Sequence, residues 1–541
     1  MIFDYLILGG GSAGAVLAAR LSEDAGVTVC LVEAGGEGRG IEIRAPAMVG
    51  AVVPGRPPID NWAYHTVAQP GLGGRRGFQP RGRALGGSSA INAMLYVRGH
   101  PSDYDDWAHA GAEGWDWASC KPWFLRAERN MRGADDWHGD AGPLQVSDQR
   151  RPQPMSRAFV EACAAVGCAP NPDFNGPKQE GAGLYQVTQF WDGARKGERC
   201  SAAAAWLHPV LARPNLTVLT RARAERILFD GRRATGALVR RRGRQIRLEA
   251  RREVILSAGA FGTPQILQLS GIGPADELQR HGIAPVLDLP GVGANLQDHL
   301  DYIISFTSPR REGVGLNPRG FWRLAKAAAR WRRTGEGLFA SPMAEGGAFL
   351  RSTPDQPRPD LQLHFVIGIV DQHMRRLHAS DGWSLHVCQL RPHSRGTLRL
   401  ADANPASAPL IDPGFLNDPR DRAAMLGAAR LIEAITAAPS LAPWRGRRLY
   451  PHDGSDAALM ADIVARADTI YHPVGTARMG AADDPMAVVT PDLRLRGVEG
   501  LRVVDASVMP GLIGGNTNAP TIMIAERAAG FIRAARVAKA G

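Results

Sequence analysis

The segment Asp4–Gly36, DYLILGGGSAGAVLAARLSEDAGVTVCLVEAGG, constrains the fold more than any other part of the chain. Tyr5 to Leu8 form a short apolar run suited to a buried parallel strand. Gly9, Gly11 and Gly14 then give G-x-G-x-x-G, whose glycines allow a tight turn, close approach of backbone to a pyrophosphate, and close packing of helix on strand. A helix starting near Ser12 and Ala13 turns its free N–H groups toward the phosphates. Val27 to Val32 supply the second strand, and Glu33, followed by Ala34, ends it with a carboxylate placed for a ribose diol. The order strand, turn, helix, strand, acid predicts a dinucleotide site, against the plainer reading of a glycine-rich turn in an ordinary βαβ unit. It leaves NAD and FAD open, because both carry the same ADP.

A chain of 541 residues is too long for one ordinary core, so two large domains are expected. No run of about 18 uninterrupted apolar residues occurs, which predicts no transmembrane segment. The N-terminus enters the first strand without a basic leader, so a cytoplasmic location is expected. Six cysteines without a C-x-x-C pair point to reduced thiols and to no metal site. The net charge of +11 rests on 59 arginines against five lysines. Its densest cluster, Arg240 to Arg252, sits on an expected hairpin turning at Gly243, a solvated ribbon rather than a nucleic-acid site. A second basic stretch, Phe321 to Arg333, spaces Phe321, Leu324, Ala328 and Trp331 for one helical face. That stripe is expected to pack on its own core, with a membrane or a partner subunit as the alternatives.

Further along, Asp60–Tyr64, containing Trp62, reads as loop returning to the nucleotide. In Gly82–Gly99, GRALGGSSAINAMLYVRG, the small residues Gly86, Gly87, Ser88 and Ser89 can bring backbone against a flat ligand. Asn92 offers an amide in an apolar wall, and the second half is expected to be helical. Helices are predicted at Met155–Val166, from a Ser201 cap through Leu207, and at Pro264–Leu269. Short strands with Asp-Gly and Arg-Gly turns fill Leu216–Ala258. Residues 306–464 mix strands (361–370, 384–390, 397–400) with helices near 420–437 and 456–466, an α+β pattern with an antiparallel sheet. Leu501–Asp505 and a helix over Thr521–Ala535 return to the style of the first domain.

With these passages together, the chain resembles the glucose-methanol-choline family of FAD-dependent oxidoreductases over nearly its whole length. The resemblance is carried by GGGSAG with Glu33, GRALGGSSAINAMLYVRG, GAFGTPQILQLSGIG, YHPVGTARMG and GGNTNAPTIMIAERAA, in that order. It implies a Rossmann-like FAD-binding domain, 1–305 and 465–541, around a substrate domain, 306–464. It also implies FAD rather than NAD, and oxidation of a small-molecule alcohol with oxygen, a quinone or another electron acceptor. By the same resemblance, the Gly9–Gly14 turn and Glu33 hold the ADP half, with Ala224 beside the adenine. Gly87, Ser88, Asn92, Ala93, Met94 and Leu95 line the flavin ring, and Tyr471, Asp505, Ala506, Asn516 and Thr517 lie near its ribityl chain and pyrimidine. Ile91 stands where some members carry a histidine bonded to FAD, so the cofactor is expected to be non-covalent. His472 is the expected base and Asn518 the expected amide that holds the substrate oxygen. A cyanohydrin lyase of the same fold, an NAD-linked dehydrogenase and a non-catalytic binding protein are the competing readings. Which alcohol is oxidised, oxidase against dehydrogenase, and the oligomeric state stay open at this point.

Overall fold

The structure, a computed structural model, describes residues 1–540. The apolar runs of the N-terminal unit form the middle of a seven-stranded sheet. Ile2–Leu8 lies parallel to Val29–Val32 on one side and to Arg244–Leu256 on the other, and Leu216–Leu219 extends the sheet beyond Val29–Val32. Leu6, Ile7, Leu31 and Ile255 are wholly buried, which is why these strands read as unbroken apolar runs rather than alternating ones. On the edge away from Ile2–Leu8, Arg244–Leu256 serves two partners in turn. Its first half pairs antiparallel with Arg233–Arg241 across the Arg242–Gly243 turn, and its last residues pair parallel with Leu501–Val503. The end of the chain therefore completes the sheet that its beginning started.

Ser12–Leu21 follows the first strand at once and packs against both that sheet and the C-terminal helix Asn518–Ala540. The third glycine of the motif makes this approach possible: a Cβ at Gly14 would stand 1.9 Å from the Gly9 carbonyl oxygen. The two helices are also tied by Arg20 and Glu526, whose carboxylate accepts from Trp206 Nε1 at 2.7 Å.

A second, wholly antiparallel sheet runs in the order Asp468–Thr469, Leu300–Thr307, Gly382–Gln389, Leu361–Val366, Ala344–Leu350 and Gly181–Leu184. Leu300–Thr307 crosses residue 306, and Gly181–Leu184 comes from the N-terminal half, so one sheet joins chain from both sides of that position. Alternation along the strands sorts their side chains. Leu363, Phe365, Leu385 and Val387 enter an apolar core with Met425, Ala428 and Ile432 of the helix Pro419–Ala437, whereas His364, Val366 and His386 face a cavity. Glu345, buried in this sheet, accepts from the backbone N–H of Gln153 (2.6 Å) and from Ser156, and so caps the helix Pro154–Cys163 from outside it.

Four local expectations are revised. The second half of Gly82–Gly99 is extended, not helical, after a single turn at Gly87–Ala90. Asn92 Oδ1 accepts from the Met94 N–H, Met94 takes φ 63°, and the Tyr96 N–H goes to the Gln186 carbonyl, so the amides are spent outside a helical ladder. The helix expected from Pro264 starts at Gly259 instead. The Ala260 carbonyl, which Pro264 cannot serve, accepts from Thr476 Oγ1 at 2.7 Å. The strand expected over 361–370 ends at Val366. Finally, the stripe on the helix Pro318–Thr334 packs inward at Trp331, but Phe321 is 58% exposed.

Candidate active site

Two helix N-termini meet at one cavity of about 850 Å³. Ser12–Leu21 begins there behind the glycine turn, and Asn518–Ala540 begins there from the far end of the chain. Ser12 Oγ donates to Asn518 Oδ1 at 2.8 Å and locks the two starts together. Free N–H groups and aligned peptide dipoles make this end of the cavity positive. At Gly11 an added Cβ would meet Gly87 Cα at 3.8 Å and little else, so the backbone is bare to the cavity. Glu33 is buried: Oε2 accepts from the Gly10 N–H and Oε1 from the Gly35 N–H, while burial pushes its carboxyl up to about 7. This donor set and the size of the cavity fit a dinucleotide.

The expected cofactor residues are brought together here. Gly9, Gly11, Ser12, Ala13, Glu33, Ala34, Trp62, Gly87, Ser88, Asn92, Ala93, Met94, Leu95, Ala224, Tyr471, Asp505, Ala506, Asn516 and Thr517 all line the cavity. Gly14 stands behind it as the helix–strand contact. Asn92 Oδ1 is occupied by the Met94 N–H and by Arg199 Nη1 (2.8 Å), which leaves its Nδ2 for the cavity. Asp505 is spent on protein: it accepts from the Gly259 N–H, Thr263 and the Ser507 N–H, fixing two turns of the wall.

At the other end stands His472, held in a defined tautomer. His299 Nε2 lies 3.1 Å from the Leu390 carbonyl, which can only accept, so His299 carries its proton on Nε2. Burial first of all drives the His299 imidazole down to about 3, so it is neutral and its Nδ1 is an acceptor. His472 Nδ1, 3.0 Å away, is then the donor, and the lone pair of His472 lies on Nε2. Asn516 Nδ2 donates to that lone pair at 3.1 Å, and Asn516 Oδ1 is fixed by Gln362 Nε2 at 3.0 Å. The His472 N–H donates to Asp298 Oδ1 at 2.9 Å. Burial, followed by the neighbouring His299, His364 and Arg81, holds the His472 imidazole well below its usual range, so it is an uncharged acceptor at neutral pH. The preceding residue, Tyr471, sits at φ 76°, a backbone conformation a side chain seldom takes, with its hydroxyl 2.5 Å from His373 Nδ1.

This geometry corrects the expected pairing. Asn518, the amide expected to hold the substrate oxygen beside His472, lines the cavity with its Oδ1 bonded to Ser12, and the amide within hydrogen-bond distance of His472 is Asn516, two residues earlier. His299, Asp298, His364 and His386 join the site without standing in any motif of the sequence. His364 and His386 line the cavity, and His386 Nδ1 lies 2.7 Å from the buried Asp301 Oδ2. The one local signal was the Gln297–Asp298–His299 run, which no spacing rule connects to a residue 173 positions away.

The N-terminal GMC oxidoreductase model matches residues 3–301 and the C-terminal one residues 392–525. The chain belongs to the GMC oxidoreductases. Within that family it is 45% identical over 540 residues to an alcohol dehydrogenase (acceptor) of Pseudomonas putida, covering 98% of this chain and 96% of the relative. It is 43% identical to the mitochondrial choline dehydrogenase of Homo sapiens, covering 98% and 90%. The crystal structure of pyridoxine 4-oxidase from Mesorbium loti superposes with a TM-score of 0.86 at 34% identity, over 97% of this chain and 98% of that one. No helix among the described residues is long and apolar enough to cross a membrane.

Proposed function

We propose that this GMC oxidoreductase oxidises a primary alcohol to an aldehyde, with His472 as the base and Asn516 as the group that holds the substrate oxygen. GMC oxidoreductases are FAD-dependent, and the fit described above supports FAD in this cavity, its ADP half at the Gly9–Gly14 turn and Glu33 and its other half toward Asn92 and Asn516. Ile91 lines the cavity with a hydrocarbon side chain, which supports non-covalent binding. When bound, FAD supplies the hydride acceptor at its N5.

The observation that carries the reading is the neutral His472 with its Nε2 lone pair facing the Asn516 amide. An alcohol hydroxyl inserted between them donates to His472 Nε2 and accepts from Asn516 Nδ2. The base takes the hydroxyl proton while the amide stabilises charge developing on oxygen. Asn516 cannot relay that proton, since an amide N–H does not ionise here; it only holds the oxygen. As His472 becomes charged, its Nδ1–H stays bonded to His299, which keeps the ring oriented through the turnover. Choline and simple alcohols share a primary hydroxyl, and the relatives named for them support that class. His364 and His386 stand where they can meet the rest of the substrate.

The experiment is anaerobic titration of the yellow protein with a panel of primary and secondary alcohols, followed by readmission of air or of a quinone. Bleaching by a primary alcohol is expected. A colourless protein, or flavin that stays oxidised with every alcohol while an aldehyde is released, would sink the proposal.

A further inference from the structure

The helix Pro318–Thr334, PRGFWRLAKAAARWRRT, carries no acidic residue. Its inward side is Gly320, Leu324, Ala328 and Trp331, and Trp331 Nε1 donates to the Gly197 carbonyl at 2.8 Å. Turned by half a revolution, the outward row is Trp322, Lys326, Ala329 and Arg333, residues four, three and four apart. Trp322 is 64% exposed, and Lys326 Nζ sits 5.1 Å from its ring centroid. Arg319, Lys326, Arg330, Arg332 and Arg333 are all exposed, and none of them has an ion-pair partner among the described residues; Arg323 alone pairs, with Asp381.

Two connections fasten this helix to the rim of the substrate cavity. Its C-terminal end leads through Leu338–Ala340 to Pro342, Met343 and Ala344 in the cavity wall. Its N-terminal turn is held by Asp381, which accepts from Asn317 and Arg323. Asp381 closes a loop whose start, Val370 and Met374, lines the cavity and whose outer part bears Arg376 and the 68% exposed Leu377.

From this juxtaposition we infer that the outward face of helix 318–334 docks on the surface of an anionic lipid bilayer, with Phe321 and Trp322 seated among the headgroups. Two large aromatics stand exposed in one helical turn, with the Lys326 ammonium over the Trp322 ring. The unpaired cations beside them select a surface of opposite charge. Aromatic rings prefer the headgroup zone, and each cation near anionic lipid adds to the attraction. A stripe of alanines between the charges lets the helix lie flat. The docking is peripheral, and it places the lipid next to the cavity rim. It does not depend on which alcohol is oxidised.

The test is sedimentation of the purified holoenzyme with sucrose-loaded vesicles of phosphatidylcholine, with and without phosphatidylglycerol. The wild type is expected to sediment with the phosphatidylglycerol vesicles at low salt and to be released as KCl is raised. F321S/W322S should cut that partition about tenfold or more, with flavin content and alcohol-driven bleaching unchanged. K326E/R330E should remove the salt-dependent part, and it serves as the second probe should the aromatic variant fold poorly. Wild type that ignores both kinds of vesicle, or variants that sediment like wild type, would overturn the inference. So would a wild-type dimer that F321S/W322S dissociates, since that result gives the face to a second copy of the chain.

Discussion

The glycine turn at one end of the cavity and the His472 site at the other differ in what they are made of. The turn takes its geometry from residues 9–36, mostly through backbone N–H groups, bare Cα atoms and a helix start. The His472 site takes side chains from positions 298, 299, 472 and 516, each held by a bond from another segment. A site of backbone fails when a Cβ is added, whereas a site of side chains fails when one is removed. The nucleotide end should therefore lose the whole holoenzyme in a single step, and the chemical end should lose rate while the protein stays intact.

The largest effect is expected from Gly14→Val, which drives a side chain into the Gly9 carbonyl and should leave little yellow protein in the soluble fraction. An absorbance spectrum with wild-type flavin content would show that the turn yields more than its packing suggests. His472→Ala should keep its flavin and slow bleaching by alcohol by about 10²–10⁴-fold in stopped flow. A wild-type rate would put the base elsewhere. Next come the two amides. Asn516→Ala should cost about 10²-fold or more, in the range of a lost oxyanion donor, and Asn518→Ala less than about tenfold, because it loses a bond to Ser12. Equal losses would erase the distinction drawn between them.

Smaller effects come from pH. His472 must be uncharged to act, and its value is depressed, so the bleaching rate should be flat through the usual imidazole range near 6.5 and fall only at more acid pH. A fall centred on that range would show an imidazole that burial does not shield. His138 runs the other way and lies outside the cavity. Burial opposes its charge, but hydrogen bonds to Asp173 (2.7 Å) and Glu128 (3.1 Å) outweigh burial and raise it to about 9. Its contribution to stability is complete below about 6.5 and is lost as pH rises through 9. His138→Gln should flatten the alkaline decline of the melting temperature by a few degrees, with little change at pH 9.5.

The same difference explains what could be read in advance. Strand, glycine turn and acid follow one another within 33 residues, so local period and turn chemistry reached them, and the strands from Leu216 to Leu256 were equally local. The chemical end needed a distance between residues 44 and 173 positions apart. Asn516 and Asn518 are the same residue type on either side of Thr517, and no pattern says which one precedes the helix and turns to His472 and which opens it and turns to Ser12. His299 was invisible for the same reason: an imidazole next to an aspartate is ordinary until its partner is known. The Gly82–Gly99 segment misled in another way, since its apolar second half fits a helix until the Asn92 side chain and the Gln186 carbonyl claim its amides.

The pairing of Leu501–Val503 with a strand that also borders the N-terminal one has a consequence for biosynthesis. When the ribosome has released the first 260 residues, the nucleotide half still lacks one strand and the helix that lies along Ser12–Leu21. These arrive only after more than 200 further residues have emerged and the intervening sheet has been threaded between. The nucleotide half can close around its cofactor only once residues 501–503 and the helix that begins at Asn518 have been made, so chains truncated before residue 501 should be captured by chaperones or degraded rather than accumulate as a preloaded half-enzyme.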